Sequence, residues 1–333
     1  MTESHFLFSE DKPLRWGVIG CGSVAEKKSV PAYQKTPGFE VHSVMRRDAQ
    51  KVEDYATRHN VANWTTDAKV VIEDPNVDAV YIATPPDTHK LYALQVAAAG
   101  KPCCIEKPMA PNYHDSLEIY EAFASKGIPL FVAYYRRSLP RFLQIKQWLD
   151  EQQIGEVRHI HWQKTKPPSE MDLSGQYNWR TDKNVAPGGY FDDLASHGLD
   201  LFTFLLGDIE KVHGVATNQQ GLYSAFDAIS GSWMHSNGIT GEGVWNFGSH
   251  DRVDKVEILG SEGTITFAVL DEAPVELKNT AGRQVLEIPH PEHVQQHHVE
   301  NIKGHLLGNG KHPSSGKSAL HTSWVMDRIL GKI

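Results

Sequence analysis

This sequence of 333 residues has few cysteines, no long apolar run and no recognisable export signal. It contains three cysteines, Cys21, Cys103 and Cys104, an odd and small number that provides no disulfide framework. No apolar run reaches the length that a membrane-spanning helix needs. The first residues have neither a basic and apolar signal region nor a twin arginine. We therefore expect a protein of the reducing cytoplasm, with residues 1–12 as a flexible tail.

An excess of positive charge is absent as well. The chain carries 33 Lys and Arg against 41 Asp and Glu, which leaves a net charge of -8 with histidine neutral. Neither this balance nor any long basic run supplies the field that nucleic acids or anionic membranes require, so we expect no such partner. Internal repeats are not found, and a chain of this length is expected to form two domains.

The stretch from Leu14 to about Ala133 alternates short apolar runs with helical patterns. The apolar runs are near-continuous, as in parallel strands covered on both faces; they are LRWGVIG, VHSVM, DAVYIA, KPCCI and PLFVA. Segments 48–59, 88–99 and 113–126 lie between them and have apolar residues at helical spacing. Pro31 is expected to break or restart the first helix. This order of elements indicates βαβ units and a parallel sheet.

Beyond residue 133 the pattern changes. Helical segments cover 140–153 and 189–206, and short alternating strands dominate from about 211 to 288. We expect a second domain over residues 134–333, of the α+β class, with a large and mostly antiparallel sheet. The last helical segment, about 317–330, is expected to pack back on the first domain.

A glycine-rich loop follows the first strand. Residues 20–25 read Gly-Cys-Gly-Ser-Val-Ala, a G-x-G-x-x-A pattern between a strand and a helix. The first glycine permits a tight turn, the second lets the backbone approach a pyrophosphate, and the small third residue permits close helix packing. N–H groups at the helix start would bind the phosphate. The pattern predicts an α/β Rossmann dinucleotide-binding domain over residues 1–133, with cofactor contacts at Gly20, Gly22, Ser23, Val24 and Ala25.

The end of the second strand indicates which dinucleotide is bound. An acidic residue there would bond the ribose 2′-hydroxyl of NAD, whereas an arginine accommodates the 2′-phosphate of NADP. Arg46 occupies this position, Arg47 follows it, and Asp48 is expected to cap the next helix. We therefore predict a preference for NADP(H) over NAD(H), with both arginines on the 2′-phosphate. The alternative is a solvated basic turn.

Two further motifs carry candidate chemistry. Glu106, Lys107 and Pro108 directly follow an apolar strand, where side chains reach the ligand crevice of an open α/β sheet. Downstream, the sequence GGYFDDLASH at 188–197 places Asp193 and His197 four residues apart on one helix face. An aspartate beside an imidazole can fix its tautomer and favour its charged form. By itself the pair also fits an ordinary helical contact.

Together these motifs resemble the glucose-fructose oxidoreductase / inositol dehydrogenase / MocA family (Gfo/Idh/MocA) over nearly the whole chain. The resemblance rests on GCGSVA at 20–25, IATPPDTH at 82–89, EKP at 106–108 and GGYFDDLASHGLD at 188–200. It implies a catalytic set made of Lys107, Asp193 and His197. One departure is Pro187, where the family usually has a third glycine.

The resemblance also implies further site residues. Contacts to the cofactor are implied for Thr84, Pro85, His89, Glu106 and Lys107. Positions that flank the active site are implied for Tyr135, Arg136, Trp179 and Arg180. A polyhydroxylated substrate needs a polar and aromatic rim, for which the candidates are Trp162, Lys164, Trp179 and Arg180. We expect one or two of these to contact it, because a tryptophan is more often part of a core.

The reaction that the resemblance implies is hydride exchange between C4 of the nicotinamide and a carbinol carbon. The cofactor supplies the redox chemistry, so the protein must orient the groups, move a proton and stabilise charge. The Lys107 ammonium would stabilise a developing alkoxide, and His197 would accept the proton in oxidation and donate it in reduction. Which of the two carries the proton stays open at this point.

A histidine cluster in HPEHVQQHHVE contains His290, His293, His297 and His298. Positions 293 and 297 have the helical spacing of metal ligands, but no cysteine or carboxylate completes a tetrahedral set. We expect a solvated His-rich helix and no metal.

The sequence therefore predicts an NADP-dependent sugar, polyol or cyclitol oxidoreductase with a small-molecule substrate. One alternative is a dehydrogenase of another hydroxyl or carbonyl compound, such as a trans-dihydrodiol. Others are a non-catalytic dinucleotide-binding regulator and an enzyme that moves hydride between two substrates on a permanently bound cofactor. The joint presence of Lys107, Asp193 and His197 favours catalysis. Because similar proteins are often dimers or tetramers, we expect a homo-oligomer that assembles through the second domain's exposed sheet face.

Overall fold

The computed structural model describes Phe8 and residues 12–333. The expected flexible tail therefore lies outside the described residues, apart from Phe8 and Lys12. The described chain falls into two compact units. The first combines Met1–Ser138 with Pro291–Leu320, and the second combines Leu139–His290 with His321–Ile333.

The secondary structure of the described residues alternates between strands and helices in the first half and is rich in strands in the second. The strands are β1 Leu14–Ile19, β2 Phe39–Met45, β3 Asn63–Thr65, β4 Ala79–Ile82, β5 Cys103–Ile105, β6 Leu130–Val132, β7 Val157–Thr165, β8 Ile209–Thr217, β9 Ala228–His235, β10 Thr240–Asn246, β11 Val253–Gly260, β12 Gly263–Phe267, β13 Val275–Asn279 and β14 Gly282–Leu286. The α-helices are α1 Val30–Lys35, α2 Ala49–Arg58, α3 Ala68–Glu73, α4 His89–Ala98, α5 Tyr113–Ala124, α6 Pro140–Asp150, α7 Glu170–Ser174, α8 Tyr190–Leu206, α9 Gln296–Leu306 and α10 Gly316–Ile329. No helix among these residues is both long enough and apolar enough to cross a bilayer.

The first unit is built on a six-stranded sheet in the order β3-β2-β1-β4-β5-β6, with every pair parallel. This is the strand order of a doubly wound dinucleotide-binding domain. The chain changes direction across the sheet between β1 and β4, and ligands of such folds bind at that crossover, outside the carboxyl ends of the strands. The predicted Rossmann fold is confirmed.

The first helix after β1 has an irregular start. A π-helical turn, Ala25–Ser29, precedes α1, and Pro31 occupies the first turn of α1. The Val30 N–H donates to the Ala25 carbonyl in the π-helical pattern, and Pro31, which has no N–H to donate, follows where the pattern changes. The expected break at Pro31 is therefore seen as a change from π-helix to α-helix.

One core of the first unit includes side chains from a late part of the chain. Trp16 on β1 packs edge to face on Tyr33, with ring centroids 4.7 Å apart. Val299, Ile302 and Leu306 of α9 are buried in the same cluster. The prediction that residues 134–333 form one domain is thus wrong for 291–320, which belong to the first unit. Helix α10 begins in the first unit and ends in the second, since the division falls after Leu320.

Strand β3 and helix α3 were not predicted because they are short, at three and six residues. Gly17 on β1 leaves the space that Val71 of α3 fills, since a Cβ at Gly17 would overlap the valine side chain. The fit depends on the tertiary packing of the two elements, and their own sequences carry too few periods to indicate it.

The second unit contains an eight-stranded sheet in the order β14-β13-β12-β11-β7-β10-β9-β8. All of its neighbouring strands are antiparallel except β7 and β10, which are parallel. Helix α8 lies over the buried face, where Gly198 leaves room for the indole of Trp162 on β7. The predicted α+β class with a large, mostly antiparallel sheet is confirmed.

Candidate functional site

A groove in the first unit lies at the crossover between β1 and β4. Its cavity volume is about 620 Å³. The residues that line it are Gly20, Gly22, Met45, Arg46, Arg47, Asp48, Ala83, Thr84, Pro85, Thr88 and Tyr92. Most of them come from the loops that follow β1, β2 and β4, while Met45 ends β2 and Tyr92 lies in α4. The groove is therefore formed at the carboxyl edge of the sheet, where dinucleotides bind in this fold.

The glycine loop has the conformation that a pyrophosphate site requires. Gly20 adopts a φ of +99°, and a Cβ there would lie 2.8 Å from the carbonyl carbon of Ala83. By contrast, a Cβ at Gly22 would have nothing within 4 Å, so its backbone faces open space. Ala25 is fully buried, as the third position of the pattern predicts. The loop therefore fits a dinucleotide phosphate group, and the N–H groups that follow Gly22 would hold it.

A charged cluster ties this loop to α2. Arg58 donates to both carboxylate oxygens of Glu26, and the His59 ring lies 2.7 Å from the same carboxylate. The hydrogen bonds from Arg58 lower the pKa of Glu26 to about 2, so the carboxylate is ionised throughout the neutral range. The sequence analysis did not identify this cluster, because Glu26 and Arg58 are 32 positions apart.

Arg46 and Arg47 both line the groove, directly after β2. The Arg46 guanidinium donates to the carbonyl oxygen of Cys21 at 3.3 Å, which holds it beside the glycine loop. Asp48 is the N-cap of α2 and accepts from the backbone N–H of Lys51 at 3.1 Å. The predicted helix cap is therefore confirmed. Two cations, and a carboxylate already used as a cap, surround this end of the groove.

The Glu106 carboxylate, predicted to belong to the cofactor wall, is turned inward. It accepts hydrogen bonds from the Tyr81 hydroxyl at 2.6 Å and from the Gln295 side-chain amide at 2.7 Å. Its other oxygen accepts from the backbone N–H of Lys107 at 3.2 Å. Only 8% of Glu106 is exposed. Its carboxylate thus anchors the start of the loop that carries Lys107, whose own side chain is half-buried.

Tyr81 and Gln295 are site residues that the sequence analysis missed. Tyr81 lies in the middle of the apolar run of β4, where a tyrosine resembles any other core residue. Gln295 lies 189 positions beyond Glu106, inside the histidine-rich segment. No local pattern connects these positions, so only the tertiary structure could identify them.

Of the residues predicted to contact the cofactor, Thr84 and Pro85 line the groove, but His89 does not. His89 is fully buried at the start of α4. Its two ring nitrogens face backbone carbonyl groups of Thr84 and Pro108, at 2.8 and 3.0 Å. The prediction that His89 contacts the cofactor is therefore wrong, because the groups next to its ring nitrogens belong to the protein backbone.

Helix α8 of the second unit carries Asp193 and His197 on one face. Arg180 donates from Nε to Asp193 Oδ2 at 2.9 Å and stacks its guanidinium 4.4 Å from the Trp179 ring centroid. His197 is buried, with 5% exposed. Arg180 therefore holds the Asp193 carboxylate by a hydrogen bond. The Trp179 side chain is half-buried.

The glycine pair before α8 is required by its neighbours. Gly189 has a φ of +62°, and a Cβ there would lie 2.6 Å from the carbonyl oxygen of Phe226. A Cβ at Gly188 would overlap the Asp192 carboxylate, which accepts from the N–H of Gly188 at 2.8 Å. Pro187 precedes the pair, and its carbonyl accepts from the Phe226 N–H at 3.2 Å.

Trp162 and Lys164 do not belong to a substrate rim. Trp162 is fully buried in the second unit, where its indole N–H donates to Asp254 at 3.0 Å. Lys164 is 2% exposed, and its ammonium lies 4.0 Å from Asp254 and 3.9 Å from Asp271. Burial lowers the pKa of Lys164. The prediction that they bind substrate is wrong for both side chains, since they are part of the unit's interior.

Tyr135 and Arg136 lie in a short 3-10 turn after β6. Both are buried, and the Arg136 guanidinium stacks 5.0 Å from the Tyr135 ring centroid. Their implied position beside the active site, as candidates for substrate contact, stays a prediction.

The histidine-rich segment is not a solvated helix. Helix α9 begins at Gln296, so His293 precedes it and helical spacing from His293 to His297 does not apply. His298 is fully buried, and its ring packs edge to face on His312 at 4.6 Å. Burial places the pKa of His298 well below its ordinary value. The predicted solvation is therefore wrong for His298.

Within the described part of the chain, one group of side chains brings three potential metal ligands together: His114, Asp115 and Glu118. Lys90 lies 2.7 Å from both carboxylates, so an ammonium already binds the two acidic groups and balances one of their two charges. It forms a surface ion-pair network, and the expectation of no metal stays a prediction.

Comparison with known proteins gives matches to both units. Residues 14–134 match a family model described as the Gfo/Idh/MocA oxidoreductase family with an NAD-binding Rossmann fold. Residues 142–266 match the model of the Gfo/Idh/MocA C-terminal domain. Oxidoreductase P35 from Formosa agariphila is 37% identical over 322 residues, which cover 96% of this chain and 98% of that protein.

Two further matches carry more specific names. The 1,5-anhydro-D-fructose reductase of Ensifer adhaerens is 25% identical over 317 residues, which cover 92% of each chain. A solved structure of levoglucosan dehydrogenase in complex with NADH and levoglucosan has a TM-score of 0.85 at 23% identity, and covers 96% of each chain. At that identity the structural match establishes a common fold.

Proposed function

Because the chain belongs to the Gfo/Idh/MocA family of oxidoreductases, we propose that it transfers a hydride between a nicotinamide dinucleotide and a carbinol or carbonyl carbon of a sugar, polyol or cyclitol. The observation that carries this proposal is the groove at the β1–β4 crossover. There Gly20 makes the turn that a pyrophosphate loop needs, and Gly22 leaves its backbone open. A bound cofactor would supply or accept the hydride.

NADP(H) is the preferred cofactor in this proposal. Arg46 and Arg47 line the groove at the end of β2, where the adenosine ribose is recognised in this fold. Asp48, the nearest acidic residue, is engaged as the N-cap of α2. Two guanidinium groups suit a 2′-phosphate, because charge-assisted hydrogen bonds from arginine match its oxygens.

In this proposal Lys107 and His197 have separate roles, charge stabilisation for Lys107 and proton transfer for His197. The Lys107 ammonium stabilises negative charge on the substrate oxygen, and its loop is anchored by the bonds of Glu106. His197 accepts the hydroxyl proton in oxidation and returns it in reduction. Asp193 orients the imidazole, and Arg180 holds the Asp193 carboxylate in place.

The substrate in this proposal is a polyhydroxylated ring or chain. Support comes from the names of two similar proteins, which refer to 1,5-anhydro-D-fructose and to levoglucosan. The exposed Tyr177 and the half-buried Trp179 lie three residues and one residue before Arg180, and such aromatic faces can pack on sugar C–H surfaces. A dihydrodiol or another small hydroxyl compound is the alternative within the same chemistry.

We further propose a cytoplasmic homodimer or homotetramer that binds neither nucleic acid nor membrane. The net charge of -8 supports the exclusion of anionic partners. The exposed face of the eight-stranded sheet supports self-association, because it presents Val215 and Val244 on the same face as the hydrogen bond between His161 and Glu242. Light scattering of the wild-type chain and of Val244→Arg tests this, and a monomeric wild type would reject it.

The first experiment compares cofactors and then substrates. NADPH and NADH are titrated by fluorescence against wild type, Arg46→Ala and Arg47→Ala, and then sugars, inositols, keto-sugars and dihydrodiols are screened by nicotinamide absorbance. We expect tighter binding of NADPH, and a loss of roughly 10- to 100-fold in NADPH affinity for Arg46→Ala with little change for NADH. Equal affinities in wild type would remove the proposed preference.

Catalysis is tested with Lys107→Met and His197→Ala. We expect kcat to fall by about 100-fold or more in each, with the Kd for NADPH retained. Tight cofactor binding by wild type without turnover of any compound would favour a non-catalytic regulator. A cofactor that copurifies at one per chain would favour hydride transfer between two substrates.

A further inference from the structure

His89 bridges the two loops that the proposed reaction depends on. Its ring lies at the start of α4, with no exposed surface. Nε2 is 2.8 Å from the carbonyl oxygen of Thr84, in the loop that follows β4. Nδ1 is 3.0 Å from the carbonyl oxygen of Pro108 and 3.3 Å from that of Met109, in the loop that follows β5.

These loops leave neighbouring strands at the same edge of the sheet. β4 and β5 pair in parallel up to Ile82 and Ile105, and Glu106 N then donates to Ile82 O at 2.8 Å. Thr84 lies two residues beyond Ile82, in the lining of the groove. Lys107 lies two residues beyond Ile105. The imidazole therefore joins the backbone of the two loops just past the end of their strand pairing.

We propose that His89 is a positioning residue, which fixes the Lys107 loop relative to the Thr84–Pro85 loop without contacting cofactor or substrate. The inference rests on the proposed role of Lys107. The neutral His89 ring carries one N–H, so it donates a hydrogen bond to one loop at a time and packs its other nitrogen against the carbonyl group of the other loop. The two contacts are separable by substitution. The Pro108 contact controls where Lys107 stands, and the Thr84 contact controls the groove wall.

The chemistry of the ring predicts which substitutions retain which contact. Carbonyl oxygens only accept hydrogen bonds, so a side chain at 89 bonds the Pro108 loop or the Thr84 loop only where it presents an N–H to that carbonyl group. An asparagine amide can place its NH₂ near the position of Nδ1, and a glutamine amide can place it near Nε2. Asparagine therefore retains the Pro108 contact, and glutamine retains the Thr84 contact.

The test measures kcat and the Kd for NADPH in His89→Asn, His89→Gln and His89→Ala, using the compound that wild type turns over fastest. For His89→Gln we expect a loss of about 100-fold in kcat with Kd retained, since misplacement of a catalytic group by about 1 Å has this effect. For His89→Asn we expect kcat within a few fold of wild type and a several-fold weaker Kd. For His89→Ala we expect both a lower kcat and a weaker Kd for NADPH.

His312 provides the matched control. It is buried in the same unit, and its ring also meets backbone groups, with Nδ1 3.0 Å from Ser314 O and Nε2 3.1 Å from His298 O. Neither contact involves the Thr84 or Lys107 loop. His312→Asn and His312→Gln should leave kcat and Kd unchanged, whatever they do to Tm.

The outcomes separate this inference from the proposed function. If wild type has no turnover, or if Lys107→Met is as active as wild type, the proposed function fails. If wild type is active and Lys107→Met is not, but the His89 variants match their His312 counterparts, only the positioning role fails. Equal losses of kcat and affinity in the asparagine and glutamine variants, or loss of cooperative unfolding in both, would likewise overturn it.

Discussion

Asp192, in the first turn of α8, shows how a buried carboxyl next to a candidate catalytic residue can affect stability. It accepts from the N–H of Gly188 at 2.8 Å, and burial raises its pKa from 3.8 to about 6. The positive charge of Lys332 opposes this shift. Because the folded pKa is above the unfolded one, the folded chain binds this proton more tightly. The contribution of this protonated carboxyl to the free energy of unfolding is complete below about pH 4, and it is lost as the pH rises through 6.

Asp192→Asn should remove this pH dependence, because an amide keeps the acceptor oxygen but cannot ionise. We expect the free energy of unfolding of the variant to exceed that of wild type at pH 8 by up to about 3 kcal/mol, and to equal it near pH 4. Urea unfolding at both pH values measures this. Asp251→Asn, at a carboxyl that is 82% exposed, is the control and should change neither value. If the free energies of unfolding of Asp192→Asn and wild type differ by the same amount at both pH values, the raised pKa of Asp192 is contradicted.

At the scale of elements, the fit between α8 and β7 rests on a missing side chain. Gly198 follows His197, and a Cβ there would overlap the indole of Trp162. That indole also packs edge to face on Phe202 and Trp245, each at 5.5 Å. The Trp162 ring therefore has little room to move, and α8 would have to shift instead.

Gly198→Ala should destabilise the chain by about 1–3 kcal/mol through overpacking, and it should lower kcat because His197 moves with the helix. Gly304 in α9 is the matched control, since a Cβ there would have nothing within 4 Å. Gly304→Ala should stabilise by about 0.5–1 kcal/mol, the ordinary gain in a helix interior. Tm and urea midpoints of both variants decide the matter. A stabilising Gly198→Ala would show that α8 and β7 are less tightly packed than described.

For the whole molecule, the discontinuous first unit is the most consequential feature. Residues 1–138 contain its complete sheet, but α9 contributes Val299, Ile302 and Leu306 to its core. Burying each of these side chains stabilises a fold by about 1.5–3 kcal/mol. That sum is comparable with the total stability of many domains, roughly 5–15 kcal/mol.

A fragment of residues 1–138 should therefore lack a cooperative thermal transition, and a chimera that joins 1–138 to 291–320 through a flexible linker should recover it. Circular dichroism during heating compares the two. The chimera carrying Ile302→Ser is the control and should lose the transition again. If the short fragment unfolds cooperatively at the Tm of the chimera, α9 is not required for this unit.

The sequence alone was sufficient for features that depend on local spacing. The glycine loop, the cap at Asp48 and the shared face of Asp193 and His197 follow from patterns of two to six residues. The alternation of strands and helices in the first unit was likewise evident, apart from the short β3 and α3. Helix periodicity is encoded within a few turns, so no distant contact is needed to read it.

Tertiary structure decided which residues became partners over long separations. Gln295 binds Glu106 from 189 positions away, and α9 completes the core around β1. Burial also decided roles, since Trp162 and Lys164 became interior residues and His89 became a bridge between loops. The type of a residue determines which bonds it can make. The packing of distant elements determines which groups lie within its reach and whether water has access to it.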